Sequence, residues 1–346
     1  MFLNLLFFTK LILLKVTGKA TPLTVIFNVT NRCNLRCKHC YAAYFTRSSK
    51  DEMNTDQIKK VVGGLKKAGC LRINFCGGEP LLRPDIGELI NYAKLQGLSV
   101  DLTSNGILVP QKTNELKNIQ CLTLSLDGKN NHHDILRGKG SALKTLQAIK
   151  AAKKAGIQVR VNMVVHKYNL ADLDYMINVA RKLDFKLHIS LAISNIFGDK
   201  TEISIKPTDK QFRQVIKYII AQKKQGAPIL FSQTAYESVL KWPDFEIEGV
   251  MNAPAPLGMP PCPAGKLFGL IDADGRFWAC PHLIDKVKAK NVLKVGVAEA
   301  WKVTRNHPCT GCYQVYHHDF GHLMNLKLPV LINYIKAAIG RSEYGN

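Results

Sequence analysis

The sequence predicts an α/β fold in which helices cover a parallel sheet, followed by a smaller C-terminal module. Between Thr24 and Ser194, six apolar, β-branched runs alternate with segments whose apolar residues recur at helical spacing, an order typical of βα units. After residue 226 this periodicity gives way to residues 227–263, which are rich in proline and aromatic side chains. Such a change of composition indicates a boundary between two parts of the chain.

Residues 1–20 begin the chain with an apolar segment that predicts a helix. Its lysines, Lys10, Lys15 and Lys19, lie within and after the apolar run, whereas a secretory signal peptide carries its positive charge in front. The run is also too short to span a bilayer, which takes about 20 apolar residues. Two interpretations remain: a helix lying in the interface of the cytoplasmic membrane face, and a helix packed on the protein body.

The strand-like runs are, in chain order, TVIFNV, LRINF, LSVDLT, CLTLSL, IQVRVNMVV and KLHISLAI. The helix after the first run has an apolar stripe that comprises Ile58, Val61, Val62 and Leu65. Asn54 or Thr55 is placed to cap that helix, with Gln57 near the reciprocal position. In closed α/β barrels the loops after the strands carry the chemistry. Polar motifs at the strand ends are therefore the candidate site.

The composition narrows the partners and the compartment. The 346 residues include 48 basic and 26 acidic side chains, a formal charge of +22, which favours anionic partners such as nucleic acid, an anionic membrane or acidic substrates. The alternative is that many lysines simply cover the solvent faces of helices. Seven of the ten cysteines lie in two clusters, which points to metal or iron–sulfur binding in a reducing compartment and not to a disulfide framework.

The first cysteine cluster follows the first predicted strand and comprises Cys33, Cys37 and Cys40, at C-x3-C-x2-C spacing. Thiolates bind soft iron and zinc. Structural zinc takes four ligands, and His39 is an awkward fourth because it is adjacent to Cys40. A [4Fe–4S] cluster tolerates three protein ligands if its fourth iron binds something else. The spacing therefore favours an iron–sulfur cluster with one iron open to a substrate or cofactor.

Further polar motifs follow the later strands in order. CGGEP at residues 76–80 ends the second strand, TSNG at 103–106 the third and SLDG at 125–128 the fourth. HDILRG at 133–138 comes next, and Asn162 lies in the fifth strand. Together with the cysteine motif, and over most of the chain, this series resembles the radical S-adenosylmethionine (SAM) superfamily.

The resemblance implies a partial (β/α)6 TIM-like barrel over residues 21–226, with one SAM-binding [4Fe–4S] cluster on Cys33, Cys37 and Cys40. The SAM-binding positions that it implies are Gly77, Gly78, Glu79, Ser104, Asn105, Ser125, Asp127, Arg137 and Asn162. Of these, Glu79 would meet the methionyl amino group. The reduced cluster would then cleave SAM to methionine and a 5′-deoxyadenosyl radical that abstracts hydrogen from the substrate. No catalytic residue is identifiable; Cys76 either donates hydrogen or packs near the cavity mouth.

A second cluster lies in the C-terminal third and comprises Cys262, Cys280, Cys309 and Cys312. Four thiolates complete one zinc site or one [4Fe–4S] site. Residues 227–322 resemble the SPASM/Twitch extension of radical SAM enzymes, with Gly275 at its glycine position. His318 and His322 stand where a full SPASM module has two more cysteines, which implies the shorter Twitch form with one auxiliary [4Fe–4S] cluster. Zinc at this site and a ligand role for the histidines remain alternatives.

The leading hypothesis is a radical SAM enzyme that acts on an unidentified peptide or protein, small molecule or lipid. It needs an electron donor such as ferredoxin or flavodoxin, and a cytoplasmic location is expected. The apolar segment 1–20 and a C-terminal helix over 323–346 favour peripheral contact with the inner membrane face. The alternatives are an RNA-modifying radical SAM enzyme and a non-enzymatic zinc-binding module. The lack of an aromatic-rich platform makes nucleic acid an unexpected partner.

Overall fold

The computed structural model describes residues 2–40, 51–193 and 205–339. The chain divides into two compact units. We call them the sheet unit, which comprises Thr21–Lys206 and Ala264–His307, and the helical unit, which comprises Met1–Ala20, Pro207–Pro263 and Pro308–Asn346.

The strands of the described residues are β1 (Thr24–Asn28), β2 (Arg72–Cys76), β3 (Ser99–Ser104), β4 (Cys121–Ser125), β5 (Val159–Val165), β6 (Lys186–Leu191), β7 (Gly249–Met251), β8 (Phe268–Ile271), β9 (Arg276–Trp278), β10 (Lys290–Asn291) and β11 (Cys309–Cys312). The helices are α1 (Phe2–Thr17), α2 (Thr55–Lys67), α3 (Ile86–Leu95), α4 (Asn130–Arg137), α5 (Ser141–Lys154), α6 (Leu173–Lys182), α7 (Asp209–Lys224), α8 (Gln233–Leu240), α9 (Val292–Val295), α10 (Val297–Thr304), α11 (Val315–Met324) and α12 (Leu328–Ile339). Within this part of the chain, no helix has both the length and the apolar character needed to cross a membrane.

The sheet unit is built on six parallel strands, β1 to β6, which pair in sequence order. All six predicted strands are confirmed, and the α/β fold with a partial (β/α)6 TIM-like barrel is confirmed with them. Fully buried apolar side chains such as Phe27 and Phe75 occupy alternate positions on the strands, and most positions between them are polar, such as Asn74 and Asn162. Ile26 and Val164 are apolar exceptions. This alternation gives the sheet one apolar face and one face able to carry chemistry.

The first predicted helix is confirmed as α2 together with its cap. The Asn54 side chain accepts a hydrogen bond from the Gln57 backbone N–H (2.9 Å), and the Gln57 side chain accepts one from the Asn54 N–H (2.9 Å). The stripe from Ile58 to Leu65 is fully buried. The cap and the apolar stripe thus act together to fix where this helix begins and which face it buries.

The compact units do not follow the predicted boundaries at 226/227 and 322/323. Residues 264–307 belong to the sheet unit, because β8 pairs in parallel with β1 and continues antiparallel into β9 and β10. Conversely, α7 belongs to the helical unit, where it packs against α8. Strand pairing and helix packing over long sequence separations decide this division.

The helical unit has an aromatic core in which Tyr313 lies against Phe212 and Phe245, with ring centroids 6.0 and 5.3 Å apart. Its two strands, β7 and β11, pair antiparallel. The predicted C-terminal helix over 323–346 is observed as α12, which begins at Leu328. Residues 323 and 324 instead end α11, and the two helices are separated at Leu326, whose φ is +53°. The predicted end of the segment, residues 340–346, lies outside the described residues.

Candidate active site at the strand ends of the sheet unit

The first three cysteines lie in a loop, residues 29–40, that leaves β1. This cysteine loop is joined to the loop after β2 by backbone hydrogen bonds from Gly78 N–H to the Thr30 carbonyl and from Glu79 N–H to the Arg32 carbonyl, both 2.8 Å. The Leu35 N–H donates to Cys33 Sγ at 3.4 Å. The strand ends therefore bring the predicted cysteine motif and the predicted GGE motif into direct contact.

Gly77 and Gly78 are required where these two loops meet. Gly77 has a φ of +135°, and a Cβ there would lie 2.3 Å from the Thr30 carbonyl oxygen. A Cβ on Gly78 would lie 2.2 Å from the Arg32 carbonyl oxygen. The family resemblance implied that these glycines bind SAM, whereas in the structure they allow close approach of the cysteine loop. Their contact with SAM stays a prediction.

We expect Gly78→Ala to displace the cysteine loop, because backbone atoms surround the added methyl group and have no free space to move into. The expected result is a lower melting temperature and less iron per chain after anaerobic reconstitution. Gly63→Ala in α2 is the matched control, since only the Tyr92 hydroxyl lies within 4 Å of its Cβ, at 3.9 Å. Iron uptake by Gly78→Ala equal to that of Gly63→Ala would show that the contact is dispensable.

Three predicted SAM positions meet around the Glu79 carboxylate. It accepts hydrogen bonds from the Ser104 hydroxyl (2.9 Å), the Asn105 N–H (2.8 Å) and the Leu81 N–H (3.1 Å). The side chain is completely buried, and burial raises its pKa to about 7 against the opposing effect of these donors. Its negative charge also raises the pKa of Cys33. Glu79 therefore lies beside the cysteine loop, to which its N–H is also hydrogen-bonded, and its contact with the SAM amino group stays a prediction.

Two further residues predicted to bind SAM, Asp127 and Arg137, form a buried ion pair with each other. Arg137 donates to the two Asp127 oxygens at 2.5 and 3.3 Å, and the Val164 N–H donates to one of them at 3.0 Å. Burial alone would raise the pKa of Asp127, but the Arg137 guanidinium holds it well below its usual range. The charge of Arg137 also lowers the pKa of Cys37, against the larger effect of burial. The ion pair therefore places a fixed positive charge beside the cysteine loop.

The thiols of the cysteine loop are close enough to act on one another electrostatically. Burial raises the pKa of Cys33 to about 11, and the charges of Cys37 and Cys40 add to this effect. Burial likewise raises the pKa of Cys37, while Arg137 opposes it. In the metal-free chain Cys33 and Cys37 are therefore thiols at neutral pH, and metal binding must displace their protons.

Three buried histidines surround Asp127, and the sequence argument assigned them no role there. His39 Nε2 lies 3.6 Å from Asp127 Oδ2, and His133 Nδ1 accepts a hydrogen bond from the Asp127 N–H at 3.0 Å. The His39 and His166 ring centroids are 6.4 Å apart. One nitrogen of each ring has no hydrogen-bond partner within the described residues. His39 and His133 were visible within the quoted motifs, but no spacing rule pointed to their convergence.

Burial lowers the pKa of His133 and of His166 to about 4. Between pH about 4 and about 6.5 both side chains are therefore neutral in the folded chain, whereas in the unfolded chain they are protonated. Below pH about 6.5 the unfolded state binds more protons. We therefore expect the free energy of unfolding of the metal-free protein to decrease as the pH falls from about 6.5 to about 4. Urea titrations at several pH values test this. His166→Gln should flatten the profile, and an equally steep profile in that variant would contradict the assignment.

Ser125 and Asn162 occupy neighbouring register positions on β4 and β5, and Asn162 pairs in turn with His188 on β6. The Ser190 hydroxyl donates to Asn162 Oδ1 at 2.9 Å and contacts His188 Nε2 at 3.1 Å. Asn162 is thus linked to a polar group on β6 that sequence reasoning missed. On β2, Cys76 Sγ accepts a hydrogen bond from Asn74, and burial raises the pKa of this thiol to about 12.

The C-terminal cysteines fall in both units, and each unit is described by itself. In the helical unit, Cys262 and Cys312 line an open pocket of about 220 Å³ with Trp242, His317 and His318. In the sheet unit, Cys280 is buried at the start of a short 3₁₀ helix, Pro281–Leu283.

Across the described part of the chain, no three histidine, cysteine or acidic side chains converge as the ligands of one metal ion do. A cluster makes a different demand, because each of its thiolates binds a separate iron atom. The chemistry of the cysteine loop fits such a cluster. Its three thiols are the donors to iron, and the charges of Glu79 and Arg137 act on Cys33 and Cys37.

The comparisons with known proteins agree with this arrangement. Residues 27–180 match the family model of the radical SAM superfamily. These residues form a radical SAM domain. The chain is accordingly an enzyme that uses a [4Fe–4S] cluster and SAM, and the alternative of a non-enzymatic zinc-binding module is wrong.

Relatives of this radical SAM enzyme include mycofactocin maturase MftC of Mycolicibacterium smegmatis, 29% identical over 81% of this chain and 69% of MftC. AdoMet-dependent heme synthase of Methanosarcina barkeri is 27% identical over 81% of this chain and 82% of the relative. The structure of Streptococcus suis SuiB bound to S-adenosylmethionine superposes with a TM-score of 0.67 at 17% identity, covering 83% of this chain and 67% of SuiB. SuiB has also been solved with its precursor peptide SuiA bound. At this identity SuiB supports the fold alone.

Proposed function

We propose that Cys33, Cys37 and Cys40 hold the SAM-cleaving cluster and that the predicted polar residues around them bind SAM. The observation that carries this proposal is the arrangement of the cysteine loop, which is hydrogen-bonded to the Glu79 N–H through the Arg32 carbonyl and to α4, the helix of Arg137, through the Leu136 carbonyl. Once bound and reduced, the cluster supplies the electron that cleaves SAM to a 5′-deoxyadenosyl radical, which abstracts hydrogen from the substrate.

Glu79 retains capacity for the SAM ammonium group. A carboxylate offers about four acceptor sites, and Ser104, Asn105 and Leu81 use three of them. An ammonium group at the remaining site would favour the ionised carboxylate and offset the effect of burial on its pKa. Gly77, Gly78, Ser125, Asp127 and Asn162 complete the proposed SAM-binding set. Of these, Asp127 acts by holding Arg137 in place.

The experiment for this function is anaerobic reconstitution with iron and sulfide, followed by dithionite and SAM. We expect 5′-deoxyadenosine and methionine in equal amounts. Native protein that binds iron and sulfide but never cleaves SAM reductively would contradict the proposal.

We infer that the substrate is a peptide or protein. This is supported by the similarity to a maturase, MftC, and by the fold shared with SuiB, which binds a precursor peptide. The similarity to a heme synthase favours a small molecule as the second candidate. Cell extract that stimulates 5′-deoxyadenosine formation separates the two: prior protease treatment should abolish the stimulation by a peptide and leave that by a small molecule intact. Stimulation that is lost only after ribonuclease treatment would favour the RNA alternative instead.

The C-terminal cysteines Cys262, Cys280, Cys309 and Cys312 are proposed to bind an auxiliary [4Fe–4S] cluster within a Twitch-like segment. Their number supports this, since four thiolates saturate one such cluster. Reconstituted protein should then contain about eight iron atoms per chain, whereas one cluster alone gives about four. Reconstituted protein that contains zinc and only about four iron atoms per chain would favour zinc at the C-terminal cysteines.

A peripheral membrane contact through α1 is the proposal for the apolar N-terminal helix. Ile12, Leu13 and Val16 are at least half exposed, and Lys15 is exposed among them, a combination suited to an anionic bilayer surface. We expect the protein to float with phosphatidylglycerol vesicles and the double variant Leu13→Glu/Val16→Glu to remain in the soluble fraction.

The matched control for the flotation experiment is Leu95→Glu/Leu257→Glu, which removes exposed leucines elsewhere in the chain. Equal flotation of both double variants would contradict a contact through α1.

The electron donor is proposed to be a ferredoxin or flavodoxin, and the location the cytoplasm. The formal charge of +22 supports docking of an acidic carrier protein. SAM cleavage driven by a reduced flavodoxin should therefore slow as salt increases, while dithionite-driven cleavage should change less.

A further inference from the structure

His317 and Cys262 are in contact in the helical unit. Cys262 Sγ and His317 Nδ1 lie 3.9 Å apart, and both residues line the pocket that also contains Cys312. The His317 side chain is only 4% exposed, and its ring lies against Tyr316 with centroids 4.1 Å apart. The imidazole is therefore held in one orientation, with Nδ1 directed at a proposed cluster thiol.

The two histidines at the missing SPASM cysteine positions do not have this geometry. His318 uses both ring nitrogens: Nε2 donates to the Cys312 carbonyl at 2.7 Å, and Nδ1 accepts from the Ser238 hydroxyl at 2.9 Å. His322 does not line the pocket. Of the three histidines of α11, only His317 directs a ring nitrogen at a cysteine sulfur within the described residues.

We propose that His317 donates a hydrogen bond from Nδ1–H to the Cys262 thiolate and so raises the reduction potential of the auxiliary cluster. A metal-bound thiolate has no proton and can only accept, which places the proton on Nδ1. An N–H donor stabilises negative charge on sulfur, and the reduced cluster carries more of that charge than the oxidised one. This inference rests on the proposed auxiliary cluster, and His317 acts through Cys262 as a positioning and tuning residue.

The test uses the full chain with Cys33, Cys37 and Cys40 replaced by alanine, so that only the auxiliary cluster contributes to the signals. In this background His317→Leu removes the hydrogen-bond donor. His317→Asn introduces a side chain of nearly the same shape as leucine, but one that supplies an amide N–H. We expect His317→Leu to shift the midpoint potential to a more negative value and to alter the electron paramagnetic resonance spectrum of the reduced cluster. His317→Asn should restore much of both, and the control His322→Leu should change neither.

Potentials that agree for His317→Leu and the background would overturn the proposal, and so would equal potentials for His317→Leu and His317→Asn. If His317→Leu loses its iron, the Asn variant still decides: loss of iron from both means that the ring packs and does not donate. A background protein that binds zinc, or no iron and sulfide, would overturn the auxiliary cluster itself, a result distinct from failure of the His317 contact.

Discussion

Simultaneous replacement of Cys33, Cys37 and Cys40 by alanine is expected to abolish 5′-deoxyadenosine formation and leave the fold intact. The three thiols lie in a loop and are not fully buried, so their removal opens no core cavity. It removes every protein thiolate proposed to hold the SAM-binding cluster, and no other described thiol is available in the cysteine loop. Anaerobic iron analysis should show a loss of about four iron atoms per chain.

The control for this experiment is Cys70→Ala/Cys121→Ala, which removes two fully buried thiols of the sheet unit. This variant should retain SAM cleavage, although its free energy of unfolding falls by the cost of two small cavities. Residual reductive cleavage by the triple variant would place the SAM-binding cluster on other cysteines.

Arg137→Met is expected to reduce the free energy of unfolding of the metal-free protein by about 3–5 kcal/mol, the usual cost of leaving one partner of a buried ion pair uncompensated. The Asp127 carboxylate is completely buried and, among the described residues, would keep a single hydrogen bond, from the Val164 N–H. The substitution also removes the positive charge of Arg137 that lowers the pKa of Cys37. Urea denaturation measures the stability change, and SAM cleavage should fall in parallel.

Two variants make that result specific. Arg137→Met/Asp127→Asn removes both charges, so it should be less destabilised than Arg137→Met alone. Arg276→Met removes a partner of the Arg276–Asp274 pair, whose side chains are 39% and 26% exposed, and should cost only about 0–1 kcal/mol. A loss in Arg137→Met no larger than in Arg276→Met would contradict a structural role of the buried pair.

Much of the sheet unit and of the candidate site could be predicted from the sequence, because local side-chain patterns determine them. Apolar, β-branched runs predicted β1 to β6, and the capping residues Asn54 and Gln57 predicted the start of α2. Since parallel strands end at the same edge of a sheet, the motifs that follow the strands predicted the candidate site, where Glu79, Ser104 and Asn105 are in contact.

The features that sequence reasoning missed depend on contacts between distant segments. β8 has only four residues, and nothing in them specifies that Phe268 will pair with Thr24. The role of Gly78 depends on the course of the cysteine loop past it. Family spacing pointed to His318, but each helical residue turns by about 100°, and in α11 it is His317 that meets Cys262.

The central claim is that three thiolates of the cysteine loop leave one iron of the cluster free to bind SAM. The most direct measurement is the electron paramagnetic resonance spectrum of the reduced, reconstituted protein before and after addition of SAM. The signal of the SAM-binding cluster is the one that the alanine variant of Cys33, Cys37 and Cys40 lacks. We expect SAM to change this signal. A signal from that cluster that stays the same at saturating SAM would contradict the claim.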